Sequence, residues 1–226
     1  MAMTRTEFDI GLEQLRQRLL DMSMRVDTML ANAVSAVVEQ DIELATQVVR
    51  TDDLIDQLEI EIESDCIRLI ALQAPVARDL RLIGSSMQII TDVERIGDYA
   101  VDIAKIGRRL AKNALFRPLI DLTALSDLAR SLLRDAMSAF IYHDLERVQR
   151  VIEADDAVDD LFHRQRDHLI AHIEQDPKDA RTGVHLLFAA KYLERAADHS
   201  VNIAERVHYV ETGQVVSLAP RHSPAS

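Results

Sequence analysis

The second half of this chain repeats the first. Leu19, Met22, Val26, Met29, Ala33 and Ala36 return 103 positions later as Leu122, Leu125, Ala129, Leu132, Ala136 and Ala139. At the same offset Asp52-Asp53-Leu54-Ile55-Asp56 becomes Asp155-Asp156-Ala157-Val158-Asp159. At an offset of 100, Glu94-Arg95-Ile96-Gly97-Asp98 becomes Glu194-Arg195-Ala196-Ala197-Asp198, and six of the twelve positions from each Glu onward are identical. Pro75 has its counterpart in Pro177. A duplication on this scale means one supersecondary unit used twice. The drift in offset falls near the prolines, where a loop changes length cheaply.

The unit is helical. From Leu12 the apolar positions Leu15, Leu19, Met22, Val26, Met29, Ala33 and Ala36 advance by three and four, a single stripe on a long helix. Asp41 then suits an N-cap, and a second helix is expected to run to about Gln73, where Pro75 breaks it. Leu80, Ile83, Met87, Ile90 and Val101 mark a third stripe that fades over Arg109–Asn113. With 6 glycines and 5 prolines the chain lacks the turn formers of a sandwich or barrel. The expectation is an all-α fold of two tandem three-helix bundles. Residues 1–113 form the first and 114–212 the second, with a linker at Phe116-Arg117-Pro118 and a disordered tail over 213–226.

Charge narrows the function. The 26 basic and 38 acidic residues leave a net charge of −12, which repels nucleic acid and anionic lipid. Neither nucleic acid nor direct membrane insertion is expected. A lone cysteine, Cys66, rules out an internal disulfide and suits a reducing compartment. The N-terminal residues carry no apolar signal core, so a cytoplasmic location is expected.

The acids repeat where apolar residues belong. Asp52 and Asp56 continue the stripe of Ala45 and Val49, and Asp155 and Asp159 do the same in the second half. The series 83, 87, 90, 94, 97, 101 places Glu94 on the seam of the third helix with Asp98 one turn on, and Glu194 and Asp198 repeat it. Each bundle thus aims two carboxylate pairs, from neighbouring helices, at a common seam, a costly arrangement if unpaired. Three readings compete. The acids form a solvated flank; or they pair internally with Arg95 and Arg195; or they bind cations. Carboxylate oxygens suit magnesium, calcium, manganese or iron, and a multinuclear site would balance four charges. All eight histidines lie beyond position 142, so the first site holds no imidazole of its own, while His163 and His199 stand beside the second. Structural zinc sites of Cys and His are excluded by composition.

The paired acidic-x-x-x-Asp motifs, Asp52/Asp56 with Glu94/Asp98 and Asp155/Asp159 with Glu194/Asp198, set in two tandem three-helix halves, resemble the PhoU family of phosphate-uptake regulators. The resemblance covers nearly the whole chain up to the tail. It implies a metal-binding cytoplasmic protein, peripheral to the inner membrane, with divalent or trivalent ions (iron, zinc, manganese or magnesium) on those eight acids. It further implies association with a phosphate ABC transporter and a sensor histidine kinase, repression of the phosphate-starvation response, and a homodimer. One departure from symmetry is that Asp102 becomes Asn202. The alternatives are a di-iron carboxylate enzyme, for which Glu205-x-x-His208 is the one motif match, and a metal-free helical adaptor.

Overall fold

The computed structural model describes residues 5–73, 75, 77–112 and 119–215. Its helices are α1 (Arg5–Val38), α2 (Ile42–Gln73), α3 (Ala77–Leu110), α4 (Leu122–Tyr142), α5 (Leu145–Gln175) and α6 (Ala180–Thr212), with a 3₁₀ turn at Pro177–Asp179 and no strand among the described residues. Helices α1–α3 pack as one bundle and α4–α6 as the other, the all-α duplication read from the sequence. The linker at 116–118 and the tail beyond Val215 lie outside the described residues.

Local chemistry repeats with the architecture. Asp41, Asp121 and Asp144 cap α2, α4 and α5, each carboxylate accepting from the backbone N–H three residues on, at 2.9, 3.0 and 2.9 Å. The turn after the first helix of each repeat is the same motif. Gln40 and His143 take left-handed φ values of 59° and 57°, and the N–H groups of Asp41 and Asp144 donate to Ala36 and Ala139 carbonyls, both at 3.1 Å. The repeats part company before their third helices. Where the first keeps Pro75 in open chain, the second closes the gap with the 3₁₀ turn at Pro177.

All eight α1 stripe residues from Leu12 to Ala36 are buried. The α3 stripe is less simple: Leu80 is exposed and Met87 half-buried, while Leu82, Ile83, Ile90, Val93 and Ile96 are buried. The reason is that α3 has two partners. One face packs on α1 and α2, and another packs along α6, so Tyr99, Ala100, Ile103 and Ala104 are buried as well. Arg78 bonds Glu211, Arg81 bonds the Val210 carbonyl, and Asn202 reaches Asp92, so α3 and α6 run antiparallel and join the repeats. Alanine-rich faces on both, including Ala196, Ala197 and Ala204, allow that close approach. No described helix is long and apolar enough to cross a membrane.

Candidate metal centres

The α2 core face is Ala45, Val48, Ile55, Ile62, Cys66 and Leu69. Asp52 therefore lies half-buried at its margin and Asp56 is exposed, a correction to the expectation that both continue the apolar stripe. The apolar side chains claim the centre of the bundle, and the acids flank it. On α3, Glu94 is deeper, with 15% of its side chain exposed, and Asp98 is more open one turn along. In the second repeat Asp155 and Asp159 are half-buried, Glu194 keeps 12% of its side chain exposed, and Asp198 is open at the surface.

The four acids of each repeat share one electrostatic field across two helices. Desolvation pushes Glu94 up to about 7, with Asp98 beside it and Glu59 and Asp56 opposite adding to the shift against the pull of Arg95. Asp52 is raised chiefly by burial, then by Asp56 and by Asp98 on α3. Burial likewise pushes Asp155 up to about 7, reinforced by Asp159, Asp198 and Glu194. Glu194 is raised by burial against the pull of Lys191, and Asp198, though open at its outer edge, is crowded enough by protein to be raised too. Such coupling arises where like charges face one another in a partly dry groove.

The two groups are neutralised differently. Arg95 bonds Asp98 at 2.7 Å and lies 3.6 Å from Glu94, so the internal ion pair foreseen for Arg95 exists. Arg195 instead places its guanidinium 5.0 Å over the Tyr99 ring. Lys191 pairs with one oxygen of Glu194. The other Glu194 oxygen, Oε2, and Asp155 Oδ1 are buried with no hydrogen-bond partner among the described residues. Buried carboxylate oxygens without donors are unusual. Hard anionic oxygens of this kind fit an oxygen-preferring divalent or trivalent cation, so the second repeat passes the test of donor chemistry. The first passes it more weakly, because none of its four acids has a buried oxygen without a partner among the described residues. As they stand, no three His, Cys, Asp or Glu side chains among the described residues are gathered closely enough to hold an ion.

Two participants were not anticipated. Glu59 on α2 faces Glu94 and accepts a 3.5 Å bond from Thr91. The three-four spacing from Asp56 could have found it, but its repeat position is Phe162, so a search for duplicated acids passes it over. Lys191 was missed for the same reason, since its counterpart is Thr91; its ammonium lies 5.3 Å over the Phe162 ring. His199 makes its hydrogen bonds to none of the eight candidate ligands, although its charge acts on Asp198. Its Nδ1 lies 2.8 Å from Asp92 and its Nε2 3.2 Å from the Tyr99 hydroxyl, across the junction of the repeats. His163 is exposed beside Phe162. His208 of the Glu205-x-x-His208 match sits 3.3 Å from the Thr212 hydroxyl on its own helix, and Lys105 and Arg108 occupy the corresponding places in α3.

These features define a duplicated helical protein with one acid-lined face per repeat. The chain belongs to the PhoU domain family, whose model matches it twice, over residues 19–107 and 122–207. It is 36% identical over 217 residues to a phosphate-specific transport system accessory protein PhoU homolog of Clostridium acetobutylicum, covering 96% of this chain and 99% of that one. It is 37% identical over 205 residues to the Aquifex aeolicus protein of the same description, covering 91% and 93%. The crystal structure of PhoU from Pseudomonas aeruginosa superposes with a TM-score of 0.87 at 32% identity, covering 92% of this chain and all of that one. The Streptococcus pneumoniae phosphate transport system regulatory protein PhoU gives 0.85 at 32% identity, covering 93% and 99%.

Proposed function

We propose that this chain is an accessory regulator of phosphate transport that binds metal ions on its two acidic faces. In this reading it restrains phosphate uptake and the starvation response when phosphate is plentiful. It acts as a cytoplasmic homodimer brought to the inner membrane by a phosphate ABC transporter and a sensor histidine kinase. The regulatory role is supported by relatives described as phosphate transport accessory proteins that match over more than nine-tenths of this chain. The observation that carries the metal role is the pair of unpartnered buried oxygens on Asp155 and Glu194, set in a field of like charges. Asp52, Asp56, Glu94 and Asp98 would hold ions in the first repeat, and Asp155, Asp159, Glu194 and Asp198 in the second. A bound cation supplies charge neutralisation and rigidity to helices that otherwise repel across the groove. The role is regulatory and not catalytic. Deleting the gene and measuring phosphate-regulated expression in high phosphate tests it. Derepression is expected; unchanged expression would contradict the proposal.

A further inference from the structure

The last turns of α3 carry Lys105, Arg108 and Arg109, spaced i, i+3, i+4 and so on one stripe of the helix, and the turn that follows adds Lys112. With Ile42 of α2 they line a cleft of about 280 Å³. Gly107, on the opposite side of the helix, lets α3 press against the end of α1: a Cβ there would meet the Val37 backbone nitrogen at 3.3 Å. That contact sets the basic stripe beside the turn leading into α2. Arg109 and Arg181 both act on His185 near the start of α6, and burial together with those two guanidiniums holds His185 below its usual range.

The helix dipole favours Arg108 and Arg109 in the last turn of α3 but does not call for Lys105 a turn earlier or Lys112 beyond the helix end. Helices α1, α2, α4 and α6 end with no basic residue in the last turn, and α6 is the repeat partner of α3. Internal ion pairing does not account for the stripe either. Lys105 bonds Asp102 at 3.1 Å, but Arg108, Arg109 and Lys112 form no ion pair among the described residues. Like charges at these spacings disfavour the helix that carries them. The arrangement is the more unusual in a chain of net charge −12.

We propose that this cleft is a binding site for a small, multiply charged phosphate anion, such as inorganic phosphate, pyrophosphate or the phosphate chain of a nucleotide. Guanidinium forks match phosphate oxygens two at a time, and three cations without an internal ion pair, Arg108, Arg109 and Lys112, within five residues of one another call for more than one negative charge. The cleft is concave and smaller than pockets that hold drug-sized ligands, which favours a compact solute. An anionic bilayer offers the same phosphate chemistry but would meet the acidic remainder of the chain. Lys105 borders both this cleft and the acid face, where its charge lowers Asp52; Arg108, Arg109 and Lys112 line only the cleft, and the proposal does not depend on the metal reading.

The test is calorimetric titration of the chelator-treated full chain with pyrophosphate at low and at physiological salt. Arg108→Gln/Arg109→Gln is compared with Arg68→Gln/Arg164→Gln, which changes net charge equally from exposed positions on other helices. Salt-sensitive binding is expected, weakened about tenfold or more by the first pair and little by the second, the scale of one lost charge-assisted fork. No binding, or an equal loss in both variants, would overturn the site. Sedimentation with phosphatidylglycerol vesicles that requires Arg108 and Arg109, without pyrophosphate binding, would overturn the solute assignment and place the phosphate on a lipid.

Discussion

Asp27 on α1 accepts a forked pair of hydrogen bonds from Arg130 on α4, Nε to Oδ1 and Nη2 to Oδ2, each 2.9 Å long. The two residues are 103 apart and so occupy the same place in the two repeats. In a symmetric pair of identical units, a position near the axis would meet its own copy, and neither Asp nor Arg complements itself. Divergence between the repeats therefore made this bond available. Tyr99 and His199, 100 apart, meet in the same way between α3 and α6.

Removing Asp27 leaves two guanidiniums short of a partner, because Arg134 also donates to its Oδ1 at 2.9 Å. Only 16% of the Asp27 side chain is exposed, so solvent replaces the lost bonds poorly. Asp27→Ala should cost about 2 kcal/mol and lower the melting temperature by roughly 4–8 °C. Asp21→Ala, which breaks the exposed Asp21–Arg25 pair, should change stability by less than about 0.5 kcal/mol. Chemical denaturation of both variants checks the contrast.

Glu94 and Asp155 are each pushed up to about 7 in the folded chain, well above ordinary carboxylates. Raised carboxyl values favour the protonated folded form, so this contribution to stability is present at low pH and lost as pH rises through about 7. Between about pH 6 and pH 8 the chelated protein should lose roughly 1–2 kcal/mol from these two groups, after discounting for solvent screening. The Glu94→Gln/Asp155→Asn variant should lack that component. Melting curves across this range, compared between the two proteins, read the difference in slope.

Two glycines on α3 separate helix propensity from packing. A Cβ on exposed Gly84 meets nothing within 4 Å, so Gly84→Ala should stabilise by about 0.5–1 kcal/mol. At Gly107 even a Cβ crowds the Val37 backbone, and Gly107→Val should push α3 off α1 and destabilise by about 1–3 kcal/mol. Denaturant midpoints of the two variants should move in opposite directions.

Most of the helical frame was legible in the sequence. The α1 stripe has a single job, facing its bundle, and every residue named on it is buried. The Asp41 cap and the break at Pro75 follow from chemistry that acts within a few residues. The α3 pattern was harder to read, because a helix packed on two sides shows no clean stripe, and Leu80 fell on the wrong side of it. The acid faces were found through duplication, and the same criterion concealed what the repeats do not share. Glu59 faces Phe162 in the alignment of the repeats, and Thr91 faces Lys191. The partners of His199 could not be read at all, since Asp92 and Tyr99 reach it only through the packing of α3 on α6.

Asp155 tests the cation reading most sharply, since its Oδ1 is buried without a donor among the described residues and its neighbours are acidic. Asp155→Asn removes one charge from that field at almost unchanged size. Thermal melts of wild-type and variant protein, in chelator and in excess manganese, separate a ligand from a structural partner. The variant should melt at or above the wild type in chelator and lose the second repeat's share of the metal-induced stabilisation, about 2.7 kcal/mol for a site with free metal a hundredfold above its dissociation constant. A variant that melts below the wild type in chelator and responds to manganese just as the wild type does would contradict the assignment.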